Sequence, residues 1–284
     1  MNHTMHEQYD PSELAKCLDK EAKWYWGATY VLSVFVFFTG TLGTFLTSYA
    51  AFASIISVSA ALVLFLFDQL SDVSKGKASE LRRRIDLKDS FGWPMDNAEY
   101  SDLILHCSRS VKNKARGRSS TESYFASTEP LGSARGLQNV RESAWWSEHL
   151  AKKMFLYTAS LTGLLAFVVF IVFLALLTTL NSQFIGNADI YTKLSSSFAA
   201  FFMLAVTTNL AKNSVGYSRF AKGAAKTKDL ANSLLQQPPI RDDRAIVCIY
   251  EYFIIRNENP LLPTWLWESL RDELNDQYPY KSHT

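Results

Sequence analysis

The chain has no Walker loop, no G-x-S-x-G, no H-E-x-x-H and no paired Cys or His at metal-ligand spacing, so no signature in it points to an enzyme, a resident metal or a cofactor. It has only three cysteines, Cys17, Cys107 and Cys248. An odd, scattered set argues against a disulfide framework, and buried thiols are expected. No stretch alternates apolar and polar residues with β-branched enrichment, which leaves an all-helical fold. The first 23 residues mix acids and bases without an apolar centre, so no secretory signal is expected there, nor is a lipidation motif evident. The most informative absence is of charge. From Trp24 to Phe67 the chain runs 44 residues without Asp, Glu, Lys, Arg or His, and Met154–Ala188 and Leu194–Ala211 repeat the pattern.

A helix crosses a hydrocarbon core in about 20 residues, so the first run must turn, with Thr47-Ser48-Tyr49 as the expected corner. This gives spans near Ala28–Leu46 and Ala51–Phe67. Met154–Leu180 holds sixteen Leu, Ile, Phe or Val residues, enough for insertion unaided, whereas Leu194–Ala211 holds seven and carries Ser195, Ser196, Ser197, Thr207, Thr208 and Asn209. That fourth span is expected to lean on other helices. Lys and Arg number three before the first span, none at the first corner, fifteen in Gln69–Lys153, one between spans three and four, and ten after Ala211. The positive-inside rule then places both termini and the central region in the cytoplasm.

The expected plan is an all-α membrane protein of four transmembrane helices arranged as two hairpins with helical cytosolic extensions. Its segments are 1–27 (cytosolic N-terminal helix), 28–68 (first hairpin), 69–153 (cytosolic helical region), 154–211 (second hairpin) and 212–284 (cytosolic helical C-terminal region). Asp10-Pro11 signals a helix start, followed by Leu14, Leu18, Ala22 and Tyr25 on one face. The second span is expected to run on through Leu81 and Ile85 and to break near Gly92-Trp93-Pro94. Tyr100, Leu103, Ile104, Cys107 and Val111 predict one helix from Ala98 to Gly117. Helix resumes near Gln138 and carries Trp145 and Trp146 to the membrane interface of span three. Tyr217, Phe220, Ala221, Ala224, Leu230 and Leu234 predict a long helix stopping at Pro238-Pro239. Two short helices follow, one with Ile246, Ile249, Tyr250 and Phe253 on its inner face, the other starting near Thr264 with Trp265, Leu266, Leu270 and Leu274. The two halves share this plan, consistent with either duplication or coincidence.

His106 beside Cys107 is the closest approach to a ligand pair, but neighbours on a helix point about 100° apart, which favours a structural histidine. No charge lies in mid-span, which counts against a proton- or ion-coupled transporter. Polar uncharged positions are read as close packing or, in span four, as the lining of an aqueous path: Ser196, Thr207, Thr208 and Asn209. Four helices enclose little space, so a pore would form on the axis of a symmetric homo-oligomer, with a tetramer expected.

Two acid-free basic stretches lie on the cytosolic side. One contains Arg109, Lys112, Lys114, Arg116 and Arg118; the other contains Lys212, Arg219, Lys222, Lys226 and Lys228. Each is either a solvated face that attracts anionic headgroups or a phosphate-binding surface for a nucleotide or single-stranded oligonucleotide. For the second alternative the phosphate contacts are Lys112, Lys114, Arg116, Arg118, Lys222, Lys226 and Lys228, with Tyr124, Phe125 and Tyr217 as stacking platforms.

The two-plus-two span plan, with the stretches Tyr124–Leu150 (YFASTEPLGSARGLQNVRESAWWSEHL) and Pro260–Tyr278 (PLLPTWLWESLRDELNDQY), resembles the SMODS-associating four-transmembrane effectors of bacterial anti-phage defence and the related Hailong-type effectors. The resemblance implies an inner-membrane, pore-forming effector acting with a partner nucleotidyltransferase, whose nucleotide product opens or restrains the pore. It implies no site residues. The competing expectation is a membrane scaffold recruiting a cytosolic protein, and an ordinary channel or transporter comes third.

Overall fold

A computed structural model of the chain describes residues 8–119, 125–181, 193, 195–198, 200–202, 204 and 208–278. The described residues are helical, with no strand beyond one isolated bridge between Tyr9 and Arg116. The helices are α1 Pro11–Phe45, α2 Ala50–Phe91, α3 Asn97–Leu105, α4 Arg109–Ala115, α5 Ser133–Asn181, α6 Leu210–Leu235, α7 Asp242–Glu258 and α8 Thr264–Gln277. A 3-10 turn at Thr47–Tyr49 separates α1 from α2, at the corner that helix length required. Among the described residues three helices are long and apolar enough to cross a membrane, in Pro11–Gly43, Ala51–Phe91 and Ser133–Ala175. Of Leu194–Ala211, expected to form the fourth, Leu194, Ala199, Met203, Ala205, Val206 and Thr207 lie outside the described residues.

Two compact units make up the chain: Trp24–Leu70 with Phe155–Val215, and Met1–Lys23 with Ser71–Met154 and Gly216–Thr284. The first is the apolar unit. Trp24 and Tyr25 of α1 pack on Phe67 of α2, Phe37 meets Phe201, and Phe173 meets Phe198. Phe38, Phe52, Ile55, Leu62, Leu164 and Phe167 are exposed, a surface suited to lipid and to no aqueous environment. The hydroxyls of Ser33 and Thr162 in this unit are met within their own helices. Ser33 donates to the Thr29 carbonyl at 2.8 Å, and Thr162 donates to that of Thr158 at 2.7 Å. Satisfied in this way, they need no water.

The second unit is a helical assembly with more than one apolar core. Asp10 caps α1, its carboxylate accepting from the backbone of Ser12 and Glu13, and Leu14, Leu18 and Ala22 become fully buried. Leu14 and Leu18 join Leu81, Tyr100, Ile104, Val111 and Ala115 in the first core, where the Tyr100 hydroxyl donates to the Tyr9 carbonyl at 2.9 Å. The register of α1 against α2 is fixed by Ser71 donating to the Ala22 carbonyl and Ser74 to Glu21, both at 2.9 Å. A second core joins Leu137, Val140 and Ala144 of α5 to Ala231 and Leu234 of α6 and to Cys248, Ile249 and Tyr252 of α7.

Three expectations are corrected. The helix expected over Ala98–Gly117 is two helices, because Ser108 accepts from the Val111 backbone N–H at 3.2 Å and so caps a fresh start. Its apolar stripe nevertheless stays inside, with Cys107 and Val111 both buried. Trp145 is not an interface residue: it is buried against Tyr278 and His149 in the second unit. The inner face of α7 is Ala245, Cys248, Ile249, Tyr252 and Phe253 rather than Ile246 and Tyr250, since the helix is apolar around more of its circumference than the core covers. All three cysteines are free and buried, as their scatter suggested.

Candidate anion-binding surface and polar span residues

The N-terminal helix carries three acids and three bases, and its acids are engaged. Glu13 pairs with Lys16 at 2.8 Å, and Glu21 accepts from Ser74 and from Ser108. Asp19 pairs with Lys23 at 2.7 Å and Arg82 at 3.4 Å. Burial pushes the Asp19 carboxyl up, but those two cations outweigh it and hold the pKa below the ordinary carboxylate value. Lys20 is therefore left exposed, with no acid partner among the described residues.

Across from it, α4 packs Val111 and Ala115 into the same core as Leu14, Cys17 and Leu18. This places Lys114 and Arg118 beside α1, where their charges and that of Lys20 all act on the Cys17 thiol. Burial, helped by Glu13, still raises that thiol, so Cys17 is a neutral packing residue at neutral pH. Lys114 and Arg118 are exposed and, like Lys20, make no ion pair among the described residues. Three unneutralised cations over one apolar seam form a surface that attracts a phosphate. Spacing alone could not find Lys20, since it lies in a stretch of net negative charge and only the pairing of its neighbours uncovers it.

Two other members of this basic stretch are spoken for. The Lys112 ammonium donates to the Leu105 carbonyl at 3.1 Å, and Arg116 lies over the Tyr9 ring, its guanidinium donating to the Tyr9 hydroxyl at 3.3 Å. Arg116 remains exposed at the edge of the surface.

The second basic stretch sits on α6, against the other cores. A helix rises about 1.5 Å per residue, so Lys222 stands about 15 Å and Lys228 about 24 Å along the axis from Lys212. Lys222 and Lys226 are exposed, and Lys226 rims a groove of about 230 Å³ lined also by Leu230, Glu251, Ile254 and Ile255. Lys228 does not belong with them. It pairs at 2.7 Å with Glu148, which is buried and bridged also by Lys152 at 2.5 Å. Burial pushes Glu148 up, but the bonds from the two lysines outweigh it and lower its pKa.

Of the stacking candidates, Tyr124 lies outside the described residues, and the other two have no free ring face. Phe125 is buried, and Tyr217 is fully enclosed with its hydroxyl donating to the Leu261 carbonyl at 2.5 Å. In the stretch expected to form the fourth span, Ser196 is half-buried. Thr208 is buried and donates to the Leu204 carbonyl at 2.7 Å, so it packs rather than faces water within one chain. Asn209 is exposed with a positive φ of 50°, the left-handed turn from which α6 starts. Among the described residues no group of three His, Cys, Asp or Glu is placed to hold a metal.

No family model, no curated protein and no solved structure matches this chain, so its own residues carry the functional argument.

Proposed function

We propose that this chain is a pore-forming effector of the bacterial inner membrane, homo-oligomeric, with both termini cytoplasmic, controlled from the cytosol by a nucleotide or single-stranded oligonucleotide. In the setting implied by the resemblance, a partner nucleotidyltransferase makes that ligand and the pore stops growth of an infected cell. The observation that carries the proposal is the group of cations Lys20, Lys114 and Arg118, which make no ion pair among the described residues and are seated where α1 packs on α4. α1 runs without interruption from Pro11 to Phe45, so the helix that carries Lys20 also enters the apolar unit. Phosphate bound there acts on a helix that crosses the membrane. Lys222 and Lys226 provide a second, separate basic face, and Ser196, Thr207 and Asn209 remain the proposed polar lining of the pore.

The test is to purify the full chain in detergent from its native host, release and digest any bound nucleotide, and identify it, with Lys20→Glu/Lys114→Glu/Arg118→Glu as comparison. Nucleotide on the wild type and none on the variant is the expected result. A wild type free of nucleotide that also passes no ions in vesicles sinks the proposal.

A membrane-anchored scaffold is the second reading, favoured by the exposed Ile254 beside the half-buried Leu230 and Ile255 in the α6–α7 groove. Depolarisation of expressing cells separates the two, because an anchor leaves the membrane potential intact.

A further inference from the structure

Lys75 of α2 is half-buried and, unlike Lys23 with Asp19 or Lys228 with Glu148, makes no ion pair among the described residues. Its ammonium donates instead to the Asn259 carbonyl at 2.6 Å. The Asn259 side chain is itself buried, with its Oδ1 unpartnered, so no negative charge comes from that side. A carbonyl accepts an N–H from an ammonium and from a neutral amine alike, whereas a paired carboxylate would keep the proton on. Burial accordingly lowers the Lys75 pKa, and Asp72, one turn earlier on α2, offsets only part of the effect. Desolvation of this kind makes a lysine amine nucleophilic near neutral pH.

The same bond has a structural consequence, because residues 259–262 join α7 to α8 and are tied to three other helices. Lys75 holds Asn259 to α2. Pro260 covers Gly216 of α6 so closely that a Cβ there would meet its Cγ at 2.7 Å, and the Tyr217 hydroxyl donates to the Leu261 carbonyl at 2.5 Å. Leu262 packs on Ala151 of α5 with Phe220 and Ala221 of α6. All of these residues belong to the second unit. Acylating the Lys75 amine removes its charge, leaves one N–H where the ammonium has three, and adds an acyl group against the linker. Pro260 is already pressed onto Gly216, so the linker cannot shift toward α6 to make room.

We infer that Lys75 is an acyl-acceptor site: its amine takes the acyl group of a small acyl phosphate, and the product releases residues 259–262 from α2. The Nζ lone pair attacks the acyl carbon, the bond from that carbon to the phosphate oxygen breaks, inorganic phosphate leaves, and the amine proton goes to water. No oxidant or reductant takes part. A small donor is required because the nitrogen is half-buried against backbone. The inference rests on neither the pore nor its ligand.

The experiment treats the full chain in detergent briefly with isotopically labelled acetyl phosphate at neutral pH and reads occupancy at each lysine by peptide mass spectrometry. Lys75 should acetylate several-fold faster than Lys20 and Lys114, which are exposed and make no ion pair among the described residues. Guanidinium should abolish the difference. A rate at Lys75 equal to or below theirs overturns the inference, as does an advantage that survives unfolding. Release of the linker is read by amide hydrogen exchange. Lys75→Gln, which lacks the charge as the acylated residue does, should exchange several-fold faster across 259–262, while Lys75→Arg follows the wild type and the first core, Tyr100 to Val111, is unchanged in both. Unaltered exchange across 259–262 in Lys75→Gln, an equal rise in Lys75→Arg, or a rise shared by the first core overturns the release.

Discussion

Lys228 was expected on the ligand surface and instead braces the core, and Glu148→Gln against Lys228→Met tests that difference. The Glu148 side chain is 7% exposed and Lys228 21%, with 2.7 Å between their charged atoms. At an effective dielectric constant of 20 that contact is worth about 6 kcal/mol before desolvation is subtracted. Removing one partner of a buried pair costs about 3–5 kcal/mol, because the remaining charge loses its compensation. In Lys228→Met the 59% exposed Lys152 still meets Glu148 and makes up about 1 kcal/mol of it, whereas in Glu148→Gln it makes up none. Both variants should therefore melt lower in detergent, by about 4–20 °C at about 2–4 °C per kcal/mol for a unit of this size, while phosphate-ligand affinity stays at the wild-type value. The pKa of Glu148 is lowered in the fold, so its stabilisation is complete above the unfolded carboxyl value near 4.5 and disappears as pH falls through the lower folded value. The gap between wild type and Glu148→Gln should be constant from pH 8 to pH 6 and close in strong acid. A Lys228→Met chain that melts with the wild type but binds ligand more weakly would refute the structural role and return Lys228 to the binding surface.

Gly216→Ala forces a Cβ into Pro260 and should destabilise by about 1–3 kcal/mol, with Gly216→Ala/Pro260→Ala recovering much of the loss in the same thermal assay. Asp86 is buried 3.5 Å from Arg256, and burial, partly offset by Arg256 and Arg82, pushes its carboxyl up to about 6. A raised carboxyl favours the protonated fold, so wild-type stability should increase relative to Asp86→Asn as pH falls from 7 to 4, by up to about 3 kcal/mol; a difference that does not change with pH would contradict this. Lys114→Glu and Arg118→Glu should each weaken binding of a short labelled oligonucleotide and lower its salt slope by somewhat less than one. An unchanged slope returns both to the solvated face.

The elements were largely legible because each rests on a local rule. Helix length forced the turn at Thr47–Tyr49, Asp10-Pro11 marked the start of α1, and α6 ended at Leu235, just before Pro238-Pro239. The break at Ser108 was missed because an apolar stripe at helical spacing passes through a cap without interruption. The fate of Trp145 was missed because amphipathic aromatics suit a membrane interface and a protein core equally, and only the partner, Tyr278, distinguishes them. At the candidate site, charge could be counted from sequence but pairing could not. Lys228 and Lys20 exchanged roles once Glu148, 80 residues from Lys228, and the acids of α1 found their partners.

Whether the proposed ligand can control a pore depends on how much its affinity differs between states, since equal affinity shifts nothing. Lys20 rides on α1, while Lys114 and Arg118 belong to α4 and its end. Sliding α1 along its axis moves one cation away from a phosphate held by the other two. At a dielectric constant of 20, increasing that separation from about 4 to about 8 Å costs roughly 2 kcal/mol. Moving a two-state equilibrium from 1:99 to 99:1 needs about 5.5 kcal/mol, so one ligand on one chain falls short. Four chains switching together supply roughly four times the single-site difference, enough to reverse the balance, so control by phosphate contact at this surface requires the symmetric oligomer. Lys20→Gln removes the contact that changes and leaves the two that do not. In vesicles it should keep most ligand affinity while conductance loses its response to ligand; a fully retained response would show that Lys20 does not couple the surface to the membrane.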